Sequence, residues 1–219
     1  MTTRVVCGLL TGLCLLAQAQ DGSVVRLYPV DDSSRDPTFR AFVKKLQSVV
    51  EAHDTKALRK MADKEVVSGP SEDDTGWAKF TTRWRPDDPE STLWHALSDL
   101  LDLGFTRELP TLFVSPYLVW KFPRELSAAS YLVVIRDRAE LRAAPSLKAP
   151  VLALLSFDVV RKLGQPEGGE GLGKWVRVSM LDGRSGYVNA RDVMSPLMPR
   201  AQFGRRNGKW LLIALEGPN

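Results

Sequence analysis

The chain has 219 residues, with 30 Lys and Arg against 26 Asp and Glu, 44% hydrophobic residues, 16 Gly and 14 Pro. That composition belongs to a globular protein and excludes collagen-like, coiled-coil and wholly disordered chains, while the length allows one large domain or two small ones. The two cysteines, Cys7 and Cys14, both fall within the first 14 residues, and His53 and His95 are the only histidines, so a Cys/His metal site or a Cys-His nucleophile pair has almost nothing to be built from.

Residues 1–19 read as a secretory signal peptide. Arg4 supplies the positive n-region, Val5–Leu16 the apolar h-region, and Ala17-Gln18-Ala19 the small-x-small cleavage site. The 12-residue apolar run would span roughly 18 Å as a helix, short of a ~30 Å hydrocarbon core, so no stable membrane anchor is expected after cleavage. The expected location is periplasmic or secreted. Cleavage after Ala19 removes both cysteines and leaves stability to the core.

Residues 36–62 carry a helical pattern. Asp36-Pro37 is an N-cap with Pro at the first helical position, and Phe39, Phe42, Val43, Leu46, Val49 and Val50 recur at helical spacing. Asp54 is expected to cap a second short helix with Ala57, Leu58 and Met61. Lys64–Ser68 reads as a strand and residues 69–76 as a polar loop. A further helix is expected after Pro89, with Leu93, Trp94, Leu97, Leu100 and Leu101 as its stripe and Gly104 just past its end. Leu112–Phe122 looks extended, with Pro116 at an edge or turn.

From Tyr131 the texture changes to short strands: Leu132–Ile135, Glu140–Arg142, Val151–Leu155, Val159–Leu163, Trp175–Met180 and Gly186–Asn189, the pattern of a small closed barrel. A hairpin ends the chain, Ala201–Arg206 and Lys209–Leu215 about an Asn207-Gly208 turn. Residues 20–129 hold 15 basic and 18 acidic side chains and residues 130–219 hold 14 and 8, which supports a boundary near 129. The excess is too small for the dense basic stripe of a nucleic-acid binder.

Three pieces of the second half carry a family resemblance. Glu140-Leu141-Arg142-Ala143-Ala144-Pro145-Ser146 looks like an Arg-x-x-Pro-Ser opening, and Val151–Leu163 fits a following hairpin. Trp175-Val176-Arg177-Val178 through Asp182-Gly183-Arg184-Ser185-Gly186-Tyr187-Val188 matches a closing W-x-x-V…D-G-x-x-G-Y-V signature. Residues 131–195 thereby resemble the bacterial SH3-like (SH3b) domain, departing from it where Ala153 and Phe157 replace common glycines. The resemblance implies a recognition or targeting module for peptidoglycan or its peptides. The rest of the chain, in its order of elements, resembles the cystatin-like cone fold of the nuclear-transport-factor superfamily. That likeness implies an inserted barrel and a terminal hairpin that completes the first sheet, while the residues alone leave the hairpin to pack on either the first domain or the barrel.

The chemistry-bearing runs are read conservatively. Gly169-x-Gly171-x-Gly173 lacks the following helix that a phosphate cradle needs. The acidic runs 71–74 and 87–90 lack Ca²⁺-loop spacing. His53 is read as a helix-end residue. His95 with Asp99 and Ser91 or Ser98 lacks a nucleophile elbow. Glu108 and Glu125 are the first acids to inspect for glycoside cleavage, and Trp77, Phe80 and Trp84 form a core stripe or, alternatively, an aromatic pocket.

The expected architecture is α+β: an α+β domain over residues 20–129, completed by the hairpin within 197–219, and an SH3-like β-barrel over 130–196. The expected function is an exported, non-enzymatic binding protein of the envelope whose partner is peptidoglycan or an envelope protein. No cofactor, metal or nucleic acid is expected, and Arg142, Trp175, Tyr187 and Asn189 are the candidate binding residues. The competing reading is a peptidoglycan hydrolase, or an accessory to one, targeted by the barrel.

Overall fold

The computed structural model describes residues 24–71, 73–164, 167–168 and 174–217, so the leader segment and the glycine-rich loop of 169–173 lie outside the described residues. Among the described residues the chain is mixed α+β, with five α-helices and two sheets.

Helix α1 (Pro37–Glu51) begins where the Asp36 carboxylate accepts from the Thr38 and Phe39 amides at 2.9 and 3.0 Å. Its apolar stripe buries Phe39, Leu46, Val49 and Val50. The chain turns at His53, at φ 49°, before Asp54 caps α2 (Thr55–Met61) through the Ala57 amide. Strand β1 (Ala62–Val67) follows, then α3 (Gly76–Trp84) and α4 (Leu93–Asp102). Gly104, at φ +78° just past α4, has its open side 2.7 Å from the Val30 carbonyl oxygen, measured from where a Cβ would stand, so only glycine fits there.

β2 (Thr106–Leu109) and β3 (Leu112–Ser115) form a hairpin. The extended reading of Leu112–Phe122 holds only to Ser115. Beyond Pro116 the chain closes into a one-turn helix, α5 (Tyr117–Trp120), whose Tyr117 and Leu118 are buried against Val133 and Val159 of the second sheet rather than paired in a ladder.

The second sheet comes next. Its strands are β4 (Tyr131–Val134), β5 (Ala139–Arg142), β6 (Val151–Leu155), β7 (Val159–Lys162) and β8 (Glu167–Gly168). They are followed by β9 (Lys174–Ser179), β10 (Ser185–Asn189) and β11 (Val193–Met194). The chain ends in β12 (Arg200–Arg206) and β13 (Lys209–Glu216), joined at Asn207-Gly208, both at positive φ as a tight hairpin turn requires.

The terminal hairpin lies in the middle of the first sheet, whose order is β1-β13-β12-β3-β2, with β1 parallel to β13 and the other pairs antiparallel. Everything from β4 to β11 is therefore inserted between neighbouring strands β3 and β12. The helices cover one face of this sheet: Phe39 stacks on Phe113 at 3.8 Å and meets Trp210 edge-on at 5.0 Å, in a cluster with Leu58, Phe80, Trp84 and Leu212.

The second sheet runs β11-β4-β7-β9-β10-β5-β6, with β8 added beside β9. The expected closed barrel is not formed. The path has two ends, and among the described residues no ladder joins β11 to β6, since β11 offers only two residues and pairs with β4 alone. The sheet still curls, because Leu155 near one end and Val193 at the other share an apolar cluster with Leu141, Val160, Val176, Val178 and Val188. A third cluster packs α5 and the connecting segments on the second sheet: Leu27, Tyr117, Leu118 and Met198 gather with Val133 and Val159. The segment before α1 spans both sheets, with Leu27 N donating to Phe157 O and Asp32 N to Phe105 O, each at 2.8 Å.

Candidate functional site

Register brings the four candidate residues together. Tyr187 of β10 lies opposite Arg142 of β5 and Arg177 of β9, and Asn189 lies opposite Trp175. Directly opposed residues project from the same face of a sheet, and so do residues two apart in one strand. Arg142, Trp175, Tyr187 and Asn189 therefore share one face. The intervening positions, Val176, Val178 and Val188, form the apolar cluster on the other.

β5 and β10 approach unusually closely at this point. A Cβ on Gly186 would stand 2.6 Å from the Arg142 carbonyl oxygen and 3.0 Å from Cγ of Leu141. Glycine at 186 is what lets the Arg142 backbone lie against β10.

A cavity of about 430 Å³ opens beside this face. Arg142, Trp175 and Asn189 line it; Tyr187, next to Arg142 in the register, does not. The lining also includes Arg136, Arg138 and Arg191 against Asp137, Glu140 and Asp192, which with Arg142 makes four arginines to three acids, an excess of one positive charge. Several of these groups are engaged: Arg136 pairs with Asp192 at 3.0 Å, and Asp137 accepts from the Ser156 hydroxyl at 2.6 Å. The Asn189 side chain accepts from the Arg191 amide at 3.1 Å and so caps the 3-10 turn Ala190–Asp192. The Arg138 guanidinium has no ion pair among the described residues, and its backbone sits at φ 56° with the amide donating to Ser156 Oγ.

Arg142 and Trp175 stand apart from their surroundings. The Arg142 guanidinium, 12% exposed, donates through Nη1 to the Ala149 carbonyl and through Nη2 to Glu140, but its Nε has no acceptor. Trp175 is 1% exposed, yet it belongs to none of the three apolar clusters, and its Nε1 has no acceptor either. Among the described residues only Thr106 Oγ1 joins them as a buried side-chain polar atom without a partner. A buried donor left without an acceptor costs about 1–3 kcal/mol. Trp84 and Trp94, by contrast, donate to the carbonyls of Leu215 and Pro86 at 3.1 and 3.0 Å. Both unpaired donors belong to residues that line the cavity, and both atoms are themselves covered.

The residues examined for other chemistry are dispersed. Among the described residues no group of three His, Cys, Asp or Glu side chains gathers as a metal site would. His53 stacks on Trp94 at 5.1 Å. His95 is exposed and pairs with Asp99 at 3.6 Å, while Ser91 Oγ donates to the Trp84 carbonyl at 2.7 Å, so no base meets a nucleophile there. Burial raises the Asp99 carboxyl above its ordinary range; His95 opposes that shift and Asp102 adds to it. Glu108 and Glu125 are exposed, and Glu108 pairs with Lys121 at 3.5 Å. Asp88 pairs with Arg85, and the Asp74 carboxylate accepts from the Ser71 amide. Trp77, Phe80 and Trp84 lie on α3, with Phe80 and Trp84 in the core and Trp77 stacked on Phe80 and beneath Arg59.

Sequence reasoning missed one concavity. The face of the first sheet turned from the helices holds a trough of about 970 Å³ over β1, β12 and β13, floored by Leu211 and Ile213 and edged by Lys64 and Glu216. The signal was present in Trp210–Leu215, apolar at both parities, as in a strand covered on both sides. Among the described residues no unpartnered buried polar side-chain atom lies in it.

No family model matches the chain, and no curated protein does. One solved structure is similar: a protein titled Rd1NTF2_05, in a form carrying five substitutions. It is 13% identical, with 81% of this chain and 93% of that chain covered, at a TM-score of 0.28. A likeness of that size carries no argument about function.

Proposed function

We propose that this protein is an exported, non-enzymatic binding protein of the bacterial envelope. In this reading the inserted sheet of 131–194 is an SH3-like module, opened at one seam, that holds cell-wall peptide or glycan, or an envelope protein, at the cavity beside β5, β9 and β10. The helical part with its five-stranded sheet is a cystatin-like cone that carries the module. The observation that supports this reading is the convergence of Arg142, Trp175 and Asn189 on one cavity, with two buried donors there unpaired. Tyr187 stands at its border through its register with Arg142.

The test is retention on purified sacculi. The exported form, residues 20–219, should co-sediment saturably, and Trp175→Phe should reduce retention by about tenfold, the loss of a hydrogen bond to a charged acceptor. Equal retention of both proteins would remove the cavity from the account, and no retention of either would remove the wall as the partner.

A further inference from the structure

We infer that the cavity beside β5, β9 and β10 is a carboxylate site, taking the free carboxylate of a peptide. This deepens the binding reading above and rests on it. The two unpartnered atoms on the lining residues, Arg142 Nε and Trp175 Nε1, are both N–H donors and offer nothing to a donor. The ligand group must therefore be an acceptor. A carboxylate presents two oxygens, one for each of these donors.

The charge balance narrows the class further. Four arginines against three acids leave one positive charge on the lining, which one negative charge neutralises. A doubly charged phosphate would leave the site negative beside Asp137, Glu140 and Asp192. Arg138 carries the guanidinium free to meet the incoming charge, since Arg136 is paired with Asp192 and Arg142 with Glu140. Leu147, 52% exposed, gives the lining an apolar member against which a methyl-bearing residue can rest. Neither donor atom is open to solvent in the unliganded chain, so binding includes a side-chain shift that uncovers them.

The experiment follows the tryptophan indole N–H signals in a two-dimensional proton–nitrogen NMR spectrum of residues 20–219, with that of Trp175 assigned by its loss in Trp175→Phe. Four probes are titrated: N-acetyl-alanyl-alanine with a free carboxylate, its C-terminal amide, N-acetyl-glutamate α-amide, and inorganic phosphate. The free-acid dipeptide should move the Trp175 signal saturably, and the amide should bind at least about tenfold more weakly. A response to the glutamate derivative as strong as to the dipeptide assigns the site to carboxylates in general; a weaker one assigns it to chain ends. Arg138→Gln, an exposed change that leaves the strands intact, should weaken the dipeptide by about threefold to tenfold. If Trp175→Phe does not fold, the Arg142 Nε–H signal serves as the reporter. Equal binding of acid and amide, tighter binding of phosphate, or no shift at either donor overturns the inference. Retention on sacculi without any carboxylate response would overturn this inference alone. A carboxylate response without retention would remove the wall and leave the carboxylate site standing.

Discussion

At the scale of single residues, Gly186, Trp175 and Arg142 carry most of the account. A methyl group at 186 meets the Arg142 carbonyl oxygen at 2.6 Å, and the obstacle is backbone, which cannot swing aside. Gly186→Ala should therefore lower stability by about 1–3 kcal/mol, read as a fall in the urea midpoint, and should weaken ligand binding with it because β5 must move. The tryptophans give a comparison with a definite sign. Trp84→Phe and Trp94→Phe each strand a buried carbonyl that now accepts from an indole, whereas Trp175→Phe strands nothing. The first two should cost about 1 kcal/mol more than the third in equilibrium unfolding. A Trp175→Phe cost equal to theirs would mean that its N–H is satisfied in the folded chain. The candidate site was legible at this scale because the closing signature puts Trp175, Tyr187 and Asn189 two and twelve residues apart in paired strands, so register alone aligns them. What stayed hidden was the unpaired state of the two donors, which depends on what lies opposite each atom and has no trace in local pattern.

At the scale of elements, local chemistry specified the boundaries wherever a side chain closes its own turn. Asp36 caps α1, Asp54 caps α2, and Asn207-Gly208 makes the terminal hairpin, each on groups within three residues. The Asp36 cap has a testable pH signature. The Thr38 hydroxyl, followed by the Phe39 and Thr38 amides, holds this carboxyl below its ordinary range, with Arg107 nearby adding to the effect. A lowered folded value means that the stabilisation is complete above the unfolded value near about pH 4 and is lost as pH falls through the folded one. Asp36→Ala should cost about 1 kcal/mol at pH 7, and the difference from the native chain should shrink below about pH 4 in thermal melts. Elements whose form is imposed from a distance were not legible. Tyr117–Trp120 has strand-like composition but coils, with Tyr117 and Leu118 buried against the second sheet. The barrel pattern was right about strands and wrong about closure, since closure depends on whether two edges meet and β11 is too short to provide one. Phe157 sits at φ 60° and rests against Tyr28 at 5.6 Å.

At the scale of the whole molecule, an apolar layer packs α5 and the segment before α1 on the inserted sheet. Leu118, fully buried in the layer, packs with Val133 and Val159 from the second sheet and Met198 near the start of β12. Leu118→Ala should cost about 2–5 kcal/mol. If the layer couples the two sheets, calorimetry of the native chain should show one transition, and this variant should separate it into two. Both ends of the insertion lead into neighbouring strands of the first sheet, so the cavity is carried on a domain joined to this base by two connections. The central claim is that this base presents a surface that holds envelope material without breaking its bonds. The most direct measurement incubates residues 20–219 with purified sacculi and reads two quantities from one sample: the fraction of protein bound and the muropeptide released into solution. The account predicts saturable binding that Trp175→Phe weakens, with release no greater than from sacculi alone. Release of soluble fragments in proportion to protein and time would contradict it.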